Sequence, residues 1–346
     1  MSPADDGRDR LPPIAIVVVT YNSAEQLPGF LEGLPGQAHD LLVIVDNASS
    51  DGTVELARRL APDAVVAETG CNGGYSAGLN AGIERVPDGH AILIVNPDVR
   101  FRSGSIAALA RGLSIAGTGI CAPRIVGEDG ALFRSLQREP TVRRAWGTAV
   151  LGGTRSATRP HWGEVVGGLD PYRAGAVADW ASGAALLISP ECAAAVGPWE
   201  ESFFLYSEET DYCLRARDHG YATRLVPDAE VVHIGGDAPT SARLNAILTV
   251  NRVRLYRRRR HGRVATALFA AGVLTGEVIR SLRGDRGERA VHAGAVAALT
   301  RRSHRPPETR PGWRPVRVAT GGIHGPGGGS SHTLAPSPTE SGGPAA

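Results

Sequence analysis

The sequence contains no lysine, so all 37 basic side chains are arginine and the formal net charge of +2 rests on arginine alone. They thicken towards the C-terminus, where a basic patch could meet phosphate or anionic lipid. Cysteine is scarce. The four that occur, Cys71, Cys121, Cys192 and Cys213, follow no metal-ligand spacing and suit a reducing compartment better than a disulfide framework. Residues Met1 to Arg10 are polar and acidic with no apolar core, so a secretory leader is not expected. Long apolar runs are also missing: Val264 to Ile279 is broken by Gly272 and Glu277, which argues for a packed or interfacial helix rather than a span.

What the sequence does have is a rhythm of short apolar runs that stop abruptly at polar clusters. Ile14 to Val19, Leu41 to Val45, Ala64 to Ala67 and Ala91 to Val95 read as buried strands, because they are β-branched and too short for helices. Helical spacing fills the gaps: Leu27, Phe30, Leu31 and Leu34 after a cap at Ser23, then about Thr53 to Leu60. Strands alternating with helices predict an α/β fold with a doubly wound, mostly parallel sheet. Ligands bind such sheets beyond the carboxyl ends of the strands. There the sequence places Tyr21 and Asn22, Asp46 and Asn47, and Asn96 and Asp98, so one crevice could collect them all.

Later segments are less even. Gly127 to Val177 yields no clear assignment, whereas Trp180 to Ser189 reads as a strand and Ala229 to Val232 as another, ending at His233. Ser207 is placed to cap a helix whose first turn holds Glu208, Glu209 and Asp211. Glu208 and Asp211 share a face, while Glu209 points about 100° away from Glu208. Beyond Asn245 an arginine-rich helix leads to the Val264 segment. The organisation expected is a disordered 1–12, an α/β domain over 13–244, a basic and apolar helical region over 245–302, and a disordered tail over 303–346 that is rich in Pro, Gly and Ser.

Five blocks in order carry a resemblance: Val17 to Ser23, Val45 to Thr53, Asn72 to Asn80, Asn96-Pro97-Asp98, and Phe204 to Arg215 followed by Val232-His233. Together, from about Ile14 to Arg260, they resemble the family 2 glycosyltransferases, nearest the rhamnosyltransferases of cell-wall and polysaccharide assembly. The resemblance implies a GT-A fold, inversion at the anomeric carbon, a dTDP- or UDP-linked sugar donor and a divalent metal, Mg2+ or Mn2+. It also implies a polyprenol-linked or polysaccharide acceptor and work in the cytoplasm, as a peripheral contact at the membrane. No nucleic-acid partner is expected.

Position by position, it implies that Thr20, Tyr21, Asn22, Asp46, Asn47, Asn72, Asn80 and Asn96 contact the nucleotide sugar, with Asp46 or Asn47 facing the base. Asp98 and His233 would hold the metal, although Asn96 stands where many members carry a first aspartate. Trp180, Ser182 and Gly183 match an acceptor-side strand, and Trp180 also reads as core. Glu209 stands at the position of the family's base, one methylene longer, with Asp211 second and Glu208 as an orienting group. Arg252 and Arg254 are candidates to grip a diphosphate. Two other readings stay open. A nucleotidyltransferase needs a basic first loop, which Thr20 to Ala24 lacks, and a silent sugar-nucleotide module is consistent with Asn96 and Glu209. Gly70 to Gly82 has the wrong spacing for a dinucleotide loop, so its glycines are read as letting the backbone approach the donor.

Overall fold

The computed structural model describes residues 11–235, 241–259 and 261–300. The segments expected to be disordered, 1–12 and 303–346, lie outside the described residues except for Leu11 and Pro12.

The first half builds the expected alternation: β1 (Ile14–Thr20), α1 (Leu27–Glu32), β2 (Leu41–Asp46), α2 (Thr53–Leu60), β3 (Val65–Glu68), α3 (Tyr75–Ile83) and β4 (Ala91–Val95). All seven residues of β1 and all five of β4 are buried, which is why these strands are continuously apolar rather than alternating. Helix α1 starts at Leu27 with Pro28 in its first turn, not at a Ser23 cap. Ser23 instead offers its carbonyl to the Leu27 amide at 2.9 Å.

Next come β5 (Val99–Phe101), α4 (Ser105–Leu113), β6 (Thr118–Val126), β7 (Leu136–Gln137), α5 (Val142–Leu151), α6 (Gly153–Ala157), α7 (Asp170–Ala174) and β8 (Val177–Ala178). The stretch that gave no assignment thus holds three short helices and two-residue strands joined by irregular chain. Trp180 to Ser189 is not one strand but β9 (Trp180–Ala181) and β10 (Ala185–Ile188), split where Ser182 to Ala184 turn away from the ladder. Then follow α8 (Pro190–Val196), a single tight turn at Glu201–Phe203, α9 (Glu208–Asp218) and β11 (Ala222–His233), which extends the strand expected at Ala229. The chain closes with α10 (Ala242–Arg258), α11 (Arg263–Arg283) and α12 (Arg286–Thr300).

The main sheet runs β3-β2-β1-β4-β10-β6-β11-β5, with β8 beside β11. Its first four strands are parallel, as the alternation predicts. Antiparallel β10 between β4 and β6, and antiparallel β5 on β11, are not foreseen from sequence. Both lie at non-local pairings that periodicity does not encode.

Alternate residues of the strands feed two cores. Ile14, Ile16 and Val18 pack with Phe30 of α1, Ala57 of α2 and Leu109 of α4; Val17 and Val19 pack with Leu79 of α3, Val196 of α8 and Tyr212 of α9. A smaller third core joins Ala145 of α5, Tyr256 of α10, and Phe269 and Val273 of α11. The carboxyl ends of β1, β2, β4 and β11 share one rim. Because β10 is antiparallel, with Ala185 opposite Val95, its amino end opens on that rim too.

Candidate active site

Two adjoining cavities open at the rim. The first, about 380 Å³, is walled by Val19, Thr20, Tyr21, Asn47, Asn72 and Gly74 below and by Ser241, Arg243, Leu244 and Ile247 of α10 above. Its neighbour, about 270 Å³, takes in Asn96, Ser135, Trp180, Ser182, Gly183, Glu208 and Glu209. Tyr75 and Leu205 line both, so the cavities meet at these two side chains.

Of the residues matched to nucleotide binding, the structure brings Thr20, Tyr21, Asn47 and Asn72 to the first cavity. Tyr21 is exposed there. Asn47 is buried and braced, donating to the Gly74 carbonyl at 2.9 Å. Asp46 does not line this cavity. Its carboxylate accepts from the Thr20 hydroxyl at 3.0 Å, from the Ser49 hydroxyl at 2.5 Å and from the Ser49 amide at 2.8 Å, so it is consumed in closing its own loop. Asn22 is likewise turned to a neighbouring loop, with its oxygen accepting from the Ser50 amide at 2.9 Å. Asn80 sits on the far side of α3, holding Trp199 and Glu201 through three hydrogen bonds.

Two glycines of that segment serve close packing. Gly78 and Gly82, four apart on one face of α3, lie against Val19 and Val17, where a Cβ would meet methyl carbons at 2.5 Å. Gly74 has φ +91° and lies so near Phe204 that a Cβ would fall 2.2 Å from its carbonyl oxygen, which accepts from the Tyr75 amide at 2.7 Å. Tyr75 is thereby stapled to the loop that carries the carboxylates. Its hydroxyl is buried without a hydrogen-bond partner. Burial, then the charges of Glu208, Glu209 and Asp98, hold its phenol well above the usual tyrosine range.

Asn96-Pro97-Asp98 turns between β4 and β5. Arg100 fixes that turn, donating to the carbonyls of Pro97 at 2.9 Å, Val99 at 3.0 Å and Gln26 at 2.9 Å. Since β5 pairs with β11, Val99 lies opposite His233, and Asp98 Oδ2 comes within 3.2 Å of His233 Nε2. Asp98 Oδ1 is buried and has no hydrogen-bond partner. Among the described residues no three His, Cys, Asp or Glu side chains cluster as a ready-made metal site. The donor set of carboxylate and imidazole, with one orphaned carboxylate oxygen, nevertheless fits a divalent cation.

In the second cavity Glu208 and Glu209 stand opposite Ser182 and Gly183, and a Cβ on Gly183 would touch Glu209 Cβ at 3.3 Å. Glu208 is 4% exposed, its Oε2 has no partner, and burial pushes its carboxyl up to about 7. Trp180 lines the cavity and donates to the Arg138 carbonyl at 3.2 Å. Asp211 faces away from it. Buried in an ion pair with Arg215 at 2.8 Å, which is itself bound to the Val196 and Pro198 carbonyls, it has a structural partner where the sequence placed a second base candidate. The i, i+4 spacing of Asp211 and Arg215 makes that pairing the natural one.

The loop before these carboxylates is wound unusually: Phe204, Tyr206 and Ser207 have φ of 67°, 68° and 76°. Ser207 occupies the cap position but makes no side-chain cap bond. Such residues cost about 1–3 kcal/mol each unless held by their surroundings. Asn251 of α10 does the holding, its side-chain nitrogen lying 2.7 Å from the Phe203 carbonyl and 2.9 Å from that of Leu205. The arginines of α10 add to the clamp. Arg252 pairs with Glu164 at 2.8 Å, Arg254 donates to the Ser202 carbonyl at 2.5 Å and Arg258 pairs with Glu200 at 2.6 Å, so neither Arg252 nor Arg254 is directed to a diphosphate.

Sequence reasoning missed Tyr75, Ser135, Arg243 and Asn251. Arg243 is the only charged side chain lining the first cavity among the described residues. It stands one residue into α10, a start that is set by the Ser241 cap, whose hydroxyl accepts from the Leu244 amide at 3.2 Å. That cap could have been read from the sequence; the cavity beneath it could not.

Residues 15–163 match the sequence family described as "Glycosyl transferase family 2". The N-acetylglucosaminyl-diphospho-decaprenol L-rhamnosyltransferase of Mycobacterium tuberculosis is 30% identical over 243 residues, 64% of this chain and 75% of that protein. The low-salt glycan biosynthesis hexosyltransferase Agl10 of Haloferax volcanii is 30% identical over 210 residues, 59% of this chain and 61% of its own length. Among solved structures, the mannosyltransferase PcManGT of Pyrobaculum calidifontis, in complex with GDP-Man and Mn2+, superposes with a TM-score of 0.52 at 16% identity, covering 85% of this chain and 82% of that one. At that identity the likeness is one of fold, and the fold is GT-A.

Proposed function

The chain belongs to glycosyl transferase family 2, and on that footing we propose that it transfers a hexose, rhamnose or a similar deoxysugar, from a nucleoside diphosphate to a polyprenol-linked or polysaccharide acceptor at the cytoplasmic face of a membrane. The observation that carries this reading is the division of charge between two touching cavities. Arg243 is the charged lining residue of one, while two glutamates line the other, with Tyr75 between them and the Asp98–His233 pair at the same rim. A nucleotide with its diphosphate suits the first cavity and an acceptor hydroxyl the second.

Tyr21, Thr20, Asn47 and Asn72 receive the nucleoside, and Arg243 faces the diphosphate. Asp98 and His233 would hold a divalent cation, which when bound supplies positive charge against the departing diphosphate. Glu209, at the open side of the second cavity, accepts the acceptor's hydroxyl proton as that oxygen forms its bond to the anomeric carbon. The bond from that carbon to the diphosphate oxygen breaks on the opposite face, so configuration inverts. Glu208 lies deeper, and with its carboxyl raised to about 7 it is partly protonated near neutrality and is able to donate a hydrogen bond to the sugar. Trp180, Ser182 and Gly183 shape the acceptor side.

The test is release of nucleoside diphosphate from dTDP- and UDP-linked donors, with and without Mn2+ or Mg2+. Metal-stimulated turnover should fall about 10²–10⁴-fold in Glu209→Gln, the range for losing a general base, and metal stimulation should vanish in Asp98→Ala. Turnover that ignores both substitutions would reject these roles.

A further inference from the structure

Helix α11 carries a face that nothing in the described structure covers. Val264, Leu268, Ala271, Thr275, Val278 and Leu282 fall within about 40° of one line along the helix at 100° per residue, a stripe about 27 Å long. Val264 and Leu282 are 75% and 73% exposed, and Leu268 and Val278 are exposed as well. The opposite face is fastened to the body. Glu277, about 140° round the helix from Val264, is buried and accepts from Asn245 at 2.9 Å, contacts His292 at 2.8 Å and pairs with Arg280. Gly272 and Gly276 meet Trp146 and Ala149 of α5, and the Trp146 indole donates to the Leu268 carbonyl at 3.0 Å.

Helix α5 continues the exposed surface. Val150, next to Ala149, is exposed, and so is Trp162, with the Arg143 guanidinium 4.8 Å above its ring. From Pro140 to Gly163 the chain has four arginines and no acidic residue. Arg143, Arg155 and Arg159 are exposed there, as are Arg263 and Arg283 at the two ends of α11. Arg252 and Arg258 of α10, by contrast, are engaged in internal pairs and do not supply this charge.

The geometry points to an anionic bilayer surface as the partner of this face, with the α11 stripe and Trp162 at acyl-chain depth and the α5–α6 arginines against the headgroups. An apolar face bordered by arginine and tryptophan is the chemistry that an interfacial helix uses. Helix α11 is long and apolar enough to cross a membrane, but crossing would pull Glu277 out of its buried network and leave a charge in hydrocarbon. It therefore lies along the surface. The inference deepens the proposed function, since a lipid-linked acceptor is met at a bilayer, yet it is tested without any donor or acceptor.

The full chain is floated with phosphatidylcholine vesicles with or without phosphatidylglycerol. Wild type should float with the anionic vesicles and be released by carbonate. Val264→Glu/Leu282→Glu should bind at least about a hundredfold more weakly, as two apolar side chains are lost from the contact, and Arg155→Gln/Arg159→Gln should lose the preference for anionic lipid. Absence of flotation, equal flotation of the Glu variant, or resistance to carbonate would each overturn the proposal. So would a lipid-free wild-type dimer that the Glu variant converts to monomer, which would make a second copy the occupant. Donor turnover in the Glu variant should match wild type; a wild type that floats but turns over no donor would defeat the functional reading and leave this one standing.

Discussion

Replacing Glu208 with glutamine should make the protein more stable as pH rises through neutrality. The Glu208 carboxyl is 4% exposed, one of its oxygens has no partner, and burial raises it from 4.5 to about 7. The folded state thus binds this proton more tightly than the unfolded chain does. Its favourable contribution is full below pH 4.5 and is lost as pH climbs through 7. A shift of that size corresponds to about 3 kcal/mol. Glutamine does not titrate, so the stability of Glu208→Gln relative to wild type should grow from a fraction of a kcal/mol near pH 5 to about 3 kcal/mol at pH 8. Urea unfolding of both proteins at half-unit intervals measures the difference directly. Transfer activity is read in Glu208→Leu, which unlike glutamine has no donor, and should fall at least about tenfold if Glu208 donates a hydrogen bond to the sugar. A stability difference that stays flat within about 0.5 kcal/mol from pH 5 to 8 would refute the claim that this carboxylate is held charged against its environment.

Two further substitutions probe the seam between the cavities. Tyr75→Phe removes a buried hydroxyl that has no partner in the protein, so it should leave the thermal midpoint unchanged or raise it, while kcat/KM for transfer falls about 5–100-fold; a lowered midpoint with normal kinetics would show the hydroxyl to be structural. Gly74→Ala must abandon φ +91° and a contact with the Phe204 carbonyl, so it should cost at least about 1–3 kcal/mol in urea unfolding, and a loss below about 0.5 kcal/mol would mean that the two loops are not stapled as described.

The half of the fold built from β1 to β4 is legible in the sequence because its strands are short apolar runs rich in β-branched residues and each connection holds a short helix. Strand β5 is not, since three residues leave no periodic trace, and for β10, which lies inside the strand read at Trp180 to Ser189, the antiparallel pairing is what the sequence does not carry. At the site, Asp98 and His233 come together as their positions at strand ends suggest. Asp46, Asn22, Asn80 and Asp211 instead show why a polar residue at the right rim need not face the ligand: each has a protein partner within about 3 Å that local pattern alone does not name. Tyr75 hid for the opposite reason. An aromatic at the start of a helix reads as core, and only the convergence of two loops on it gives its hydroxyl a chemical setting.

Helix α10 touches everything that matters here. Its first turns roof both cavities through Leu244, Ile247 and Leu248, Asn251 pins the wound loop, and its outer flank packs on α11 and α12. A single stiff rod with those attachments works as a lever. A surface that seats α11 therefore also fixes where the mouth of the donor chamber sits above it, because α10 joins the two without a hinge among its described residues.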